Sequence, residues 1–340
     1  MKTHSHSMAL ALVALLLFPL IACGYPPAAP TAAPAGIFVA VGYGGRRMSS
    51  RDGSHWENVQ QWDNKSADDS NNLISIAYGN GKFVVAGGGS PLKDNPRVGG
   101  HILVSTDGAH WRETKTMSFR ISPLLFTAGR FVAGAPGHHL LWSLDGETWS
   151  EGAKGIVTKE IPGWVGFRTG IAGNGIFIFA GDLPAMPKKP AKWWGIATHD
   201  GQTIDHFLAA CPPVRSLAFG GGRFLLVSGD ALYTTKDGAA WHKEPAAPAD
   251  KFREAVYTGS EFFLSGEKGA YASPDGISWK AFGKPIPCEV NWSNGAFFIG
   301  TGWPGKVWTS TDGRKWTRGE APQPELGINQ VVHGAVTTEE

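Results

Sequence analysis

Ser105-Thr106-Asp107-Gly108-Ala109-His110-Trp111 decides the fold, because it is not alone in the chain. The same frame recurs at 50–56, 143–149, 198–204, 235–241, 273–279 and 310–316. Each copy sets a Ser or Thr two residues before an Asp-Gly pair built on Asp52, Asp107, Asp145, Asp200, Asp237, Asp275 or Asp312. Six copies end in tryptophan; the copy around Asp200 ends in Ile204. Asp-Gly between apolar runs is a strong hairpin signal, since glycine accepts the positive φ that tight turns require. The aspartate and the preceding hydroxyl can hold turn amides, and the tryptophan can cover the turn.

Upstream of each box lies a second repeated unit, such as Ile76-Ala77-Tyr78-Gly79-Asn80-Gly81-Lys82-Phe83-Val84-Val85 or Leu217-Ala218-Phe219-Gly220-Gly221-Gly222-Arg223-Phe224-Leu225. It reads as strand, glycine turn, strand. With the strands flanking the box, each unit supplies four short antiparallel strands, A to D. Successive box aspartates are 55, 38, 55, 37, 38 and 37 residues apart, and the shorter spacing suits one four-stranded propeller blade. The first unit starts at Gly36 with strand B, and residues 328–334 supply a strand A with no B after it. The expectation is a seven-bladed, all-β propeller over 36–334, closed by a C-terminal strand A added to N-terminal strands B to D, with a tail at 335–340. Such closure leaves no free edge at the seam.

The 340-residue chain holds 31 basic and 29 acidic residues, a net charge of +2, or +1 without a leader containing Lys2. That balance gives no electrostatic reason to expect nucleic acid as a partner. Three cysteines exclude a disulfide-dense scaffold and a four-cysteine zinc site, and no metal or cofactor motif is present. Residues 1–22 read as an export signal: Lys2 precedes an apolar run from Ala9 to Leu20 too short to span a bilayer stably. Residues 23–35 are rich in Pro and Ala and read as a tether.

Leu20-Ile21-Ala22-Cys23 resembles the lipobox of bacterial lipoproteins, which implies lipidation at Cys23 and anchoring by buried methylenes. Gly24 is not the aspartate that retains enteric members at the inner membrane, which implies the outer membrane or cell surface. The boxes resemble the Asp-box (BNR) repeats of the sialidase-like propeller superfamily, usually Ser-x-Asp-x-Gly-x-Thr-Trp. Here the glycine follows the aspartate directly, so each box is one residue shorter. The resemblance implies a fold and not an activity, since such boxes lie away from sialidase active sites and also occur in non-catalytic propellers, including a photosynthetic assembly factor. The sialidase Phe-Arg-Ile-Pro motif precedes the first box. Here Phe119-Arg120-Ile121-Ser122 follows the second and lacks the proline, so it reads as a strand A. No Tyr-Glu nucleophile pair or acid aspartate is assignable by motif.

In a four-stranded blade the D–A and B–C connections share the face opposite the boxes. The long connections, 57–72, 88–101, 150–166 and 182–195, fall on that face and are either binding loops or ornament. Aligned on their glycine turns, the A strands place Ile74, Ser122, Arg168, Arg215, Arg253, Cys288 and Asn329 at one position. Ser75, Pro123, Thr169, Ser216, Glu254, Glu289 and Gln330 stand at the next. Arg168, Arg215 and Arg253 can therefore converge at the mouth of the central channel and clamp a carboxylate, sulfate or phosphate; the bland alternative is ion pairing between blades, Arg253 with Glu254 or Glu289. An arginine triad on a carboxylate is also a trait of sialidases.

Trp193 and Trp194 are the best candidates for exposed aromatics, unless both fold back over their blade. His138 and His139 read as a surface pair and not a metal site. Cys211 and Cys288 remain after lipidation and enter non-adjacent blades, so their pairing stays open. The leading functional expectation is a monomeric, membrane-tethered, non-catalytic propeller that binds an envelope protein or glycan through its elaborated face. The alternatives are a sialidase-like glycosidase acting on an anionic sugar, with Glu254 and Glu289 as the acids, and an assembly factor for an envelope complex.

Overall fold

Each box closes on itself through its own side chains. The Ser105 hydroxyl donates to Asp107 Oδ1 at 2.9 Å and accepts the Gly108 amide at 2.8 Å. Asp107 Oδ1 also accepts the amides of Ala109 and His110, at 2.9 and 2.8 Å. The copy lacking tryptophan does the same: Thr198 Oγ1 accepts Gly201 N at 2.9 Å, and Asp200 Oδ1 accepts Gln202 N and Thr203 N at 2.7 and 2.9 Å. The aspartate and hydroxyl therefore make the turn, and the tryptophan is an addition to it. Trp111 and Trp149 add a bond from Nε1 to the box glycine carbonyl, at 3.3 and 3.0 Å.

The protein is seen in a computed structural model that describes residues 36–62, 71–89, 98–135, 137, 139–154, 166–183, 192–208, 212–286, 290–301, 306–319 and 327–336. These residues form seven four-stranded antiparallel sheets. Blade 1 joins Ile328–Ala335 to Gly36–Gly42, Arg47–Ser50 and Glu57–Gln60. Blades 2 to 7 span 71–117, 124–151, 169–208, 216–243, 252–283 and 290–318. The closure is a long ladder in which Gly36 pairs with Ala335, Val39 with Val332 and Val41 with Gln330. Strand A of blade 3 is Leu124–Thr127, later than Phe119-Arg120-Ile121-Ser122 would place it. Its pairing still extends upstream, since Ser122 N donates to Gly134 O at 2.8 Å and Gly134 N to Pro123 O at 2.9 Å.

The core lies between blades, as opposed to within them. Val84, Ile102 and Val104 of blade 2 pack with Phe131, Leu141 and Trp149 of blade 3, and Val132 and Leu140 of blade 3 with Phe177, Phe179 and Trp194 of blade 4. Sheet pleating puts alternate side chains on opposite faces, so a blade can feed both neighbours. The boxes join this packing. A Cβ on Gly108, at φ 70°, would stand 2.6 Å from Ile37 Cδ1 of the preceding blade. The box glycine thus serves twice, as a left-handed residue and as the gap into which the previous blade fits.

The A–B turns lie on the box face. Asn80-Gly81 (φ 50° and 75°) and Asn174-Gly175 (φ 52° and 76°) have the paired positive φ of two-residue type I′ hairpins. Both ends of the propeller are on this face too, since Tyr78, beside the Asn80-Gly81 turn, donates its hydroxyl to Ala335 O at 2.7 Å, and Gly36 pairs with Ala335.

Candidate functional site

All seven inner strands line a central cavity of about 510 Å³. Ile74, Ser122, Arg168, Arg215 and Asn329, the position found by repeat alignment, stand on its wall at the end where the A strands begin. Arg253 is not on that wall. The same ladder irregularity stands at Arg253 as at Ile74 and Asn329, which do line the cavity, so it is not what sets Arg253 apart; the residue is half-buried with interactions of its own. The structure thus brings two of the three arginines to the cavity. Glu289, Cys288, Cys211, His138 and Cys23 lie outside the described residues, as do the centres of the long connections.

The two arginines differ. Arg168 Nε donates to Asp182 Oδ1 at 2.7 Å, with 67% of the Arg168 side chain and 19% of that of Asp182 exposed. This pair is formed within blade 4, between strands A and B, and not with a glutamate of the next blade. The ladder is irregular there: Arg168 N donates to Ala180 O at 2.8 Å, the residue that also pairs with Thr169, and this sets Arg168 diagonal to Asp182. Counting back from the Asn174-Gly175 turn gives Gly181 opposite Arg168, so the partner Asp182 is not found from the sequence. Arg215 is exposed on the wall and has no side-chain partner among the described residues.

Below the mouth, polar side chains tie blade to blade. Ser75 Oγ accepts Leu124 N at 3.0 Å, Ser216 Oγ accepts Ala255 N at 3.2 Å, and Gln330 Oε1 accepts Ile76 N at 2.9 Å. Ser216 also donates to Glu254 Oε1 at 2.5 Å, so Glu254 is the acceptor of a neighbouring blade's hydroxyl. Asn329 Nδ2 donates to Leu73 O at 2.8 Å. Ser122, Thr169 and Asn291, on three further blades, reach the wall with no side-chain partner among the described residues. At the box end the wall turns aromatic with Phe219, Tyr257 and Trp292. Tyr257 packs where a Cβ on Gly220 would stand, and its ring centroid is 4.9 Å from that of Phe262.

The tryptophan pair does not form an exposed platform. Trp193 and Trp194 occupy strand Lys192–Thr198, and successive side chains of a strand face opposite ways. Trp194 is 1% exposed, packed against Phe167 at 5.0 Å between blades 3 and 4. Trp193 is half-buried on the other face, beside Ala180, Val214 and Leu217. Of the two readings open for this pair, folding back over the blade is the one the packing takes. Among the described residues no three His, Cys, Asp or Glu side chains gather as metal ligands.

Comparison with known proteins gives fold neighbours. A solved structure of YCF48 bound to D1 peptide matches with a TM-score of 0.53 at 15% identity, covering 79% of this chain and 94% of that one. A quinonprotein alcohol dehydrogenase-like protein from Bacteroides thetaiotaomicron VPI-5482 matches with a TM-score of 0.53 at 11% identity, covering 88% of this chain and 78% of that one. At such identities the likeness is one of fold alone. No protein-family model matches the chain. No curated protein matches it either.

Proposed function

We propose that this chain is a non-catalytic binding module of the bacterial envelope, exported, anchored by lipid at Cys23, and taking an anionic group of its partner at the channel mouth. The observation that carries the reading is Arg215: a guanidinium at the mouth of a cavity of about 510 Å³ with no side-chain partner among the described residues. Cavities of a few hundred Å³ with a few convergent polar groups are the usual form of a ligand site. Arg168 stands on the next blade with its guanidinium largely exposed beside Asp182, and Ser122, Thr169 and Asn291 offer two hydroxyls and an amide. The YCF48 propeller carries a peptide, which makes a protein segment one admissible occupant of such a ring.

Binding is favoured over glycoside hydrolysis by the state of the wall's acid groups. Hydrolysis calls for two carboxyl or tyrosine groups flanking the bond. Among the described wall residues Glu254 is the one carboxylate, already bonded by Ser216, and Tyr257 is engaged in blade packing at the far end.

Titration calorimetry with inorganic phosphate, acetate and a short peptide carrying either a free or an amidated C-terminus tests the reading. Saturable heat with one of the anions, lost in Arg215→Ala, is the expected result; no heat with any of them overturns the site. Turnover of a fluorogenic sialoside, lost in the same variant, would replace binding by hydrolysis. Palmitate incorporation that persists in Cys23→Ala would remove the anchor.

A further inference from the structure

We propose that the box face is the surface turned toward the membrane that holds the protein, so that the channel mouth is presented away from it. This rests on lipid attachment at Cys23, proposed above. The chain enters the propeller at Gly36, on the box face: Gly36 pairs with Ala335, whose carbonyl accepts from Tyr78, and Ile37 fills the gap at the box glycine Gly108. Gly36 also begins the second strand outward from the channel, with Arg47–Ser50 and Glu57–Gln60 beyond it.

The tether's reach favours this orientation. Residues 23–35 are thirteen positions that include Pro26, Pro27, Pro30 and Pro34, and a proline-rich segment extends by about 3.1 Å per residue, so it reaches about 40 Å. With the box face toward the membrane, all of that length is available as a stand-off. For the mouth to face the membrane instead, the tether must first cross two strands at about 4.8 Å spacing and then follow a seven-residue strand that rises about 3.3 Å per residue. That route consumes roughly 33 Å before the rim is cleared. What remains is about one headgroup layer.

The anion that meets Arg215 is not a headgroup of the anchoring bilayer; it belongs to something reaching the protein from the other side.

The test uses the full lipidated chain in vesicles whose headgroups carry a rhodamine acceptor. A donor dye is attached through azidophenylalanine at Gln202, exposed in a box, or at Lys251, exposed where blade 6 begins its inner strand. Energy transfer about twofold higher from position 202 is expected, because the two faces are about 23 Å apart. Equal transfer, or more from position 251, overturns the orientation. A second arm doubles the tether with Gly and Ser, which should narrow the difference; an unchanged difference shows that tether reach does not set it and also overturns the proposal. Flotation separates the two readings: a chain that fails to float with vesicles, or a Cys23→Ser chain that floats equally, sinks the anchor and the orientation with it, whereas a floating chain with the wrong ranking sinks the orientation alone.

Discussion

The amide of Ile76 donates to Oε1 of Gln330 at 2.9 Å, a bond between residues 254 positions apart that ties the closing strand to blade 2. Ser75 and Ser216 make the equivalent reach into blades 3 and 6. The seam of the ring is therefore held by the same device as its ordinary joints. Gln330→Ala leaves that amide to channel water, and a loss of about 1 kcal/mol in urea denaturation is expected. An unchanged midpoint would show that the bond adds nothing to closure.

Two glycines with nearly the same φ separate strain from crowding. Gly108 (φ 70°) has Ile37 Cδ1 2.6 Å from where a Cβ would go, whereas Gly129 (φ 72°) has nothing within 4 Å. Gly129→Ala should cost about 1–2 kcal/mol, from the left-handed backbone alone. Gly108→Ala should cost a further 1–3 kcal/mol, roughly, for overpacking against blade 1. Equal losses in thermal or urea unfolding would refute the interlock between blades.

The boxes set an acid limit. Burial disfavours the charged form of Asp145, but the Thr148 and Glu147 amides and the Ser143 hydroxyl outweigh it and hold the carboxyl at about 2. A carboxyl depressed in the folded state stabilises above its unfolded value, near 4, and that contribution is lost as pH falls toward 2. The midpoint temperature should drop across that window, and less so in Asp145→Asn, which starts lower and titrates less.

The seam also has a milder sensitivity. Burial lowers the pKa of His333, whose ring centroid is 4.9 Å from that of Phe38 on the adjoining N-terminal strand. The folded state thus resists protonation, so stability is full above about pH 6.5 and falls as pH drops below it. Protection of the amides of 37–41 against hydrogen exchange, taken relative to the intrinsic rate at each pH, should fall between pH 7 and 5.5, and His333→Phe should abolish the fall.

At the mouth, Asp182 competes with any ligand for Arg168. Exposed ion pairs are worth about 0.5–1 kcal/mol, so Asp182→Asn should tighten anion binding roughly two- to fivefold. Weaker binding in that variant would mean that the pair positions Arg168 for its ligand.

The seven boxes made the fold legible because each carries its own turn chemistry: Ser105, Asp107 and Gly108 need no distant partner to form their bonds. The mouth was legible only in part. Arg168 and Arg215 follow from alignment of the A strands, but the alignment does not tell Arg253, half-buried by tertiary packing, from the two that reach the wall. Trp193-Trp194 misleads for a related reason, since adjacency in sequence means opposite faces in a strand, and each face here is a blade interface. Asp250 left no signal at all. It is buried at the start of blade 6 and accepts from Lys268 N, Gly269 N and Tyr271 Oη, a set assembled only by tertiary structure.

In blades 2 and 4 the inner strand turns into the next through a two-residue hairpin, whereas in blade 1 Ala335 and Gly36 simply stand opposite each other. The polypeptide is thus a circle lacking one tight link. A two-residue Asn-Gly bridge there, with new ends cut between Gly221 and Gly222, would give a permuted molecule with unchanged sheets. Its stalk would then leave from another sector of the same surface.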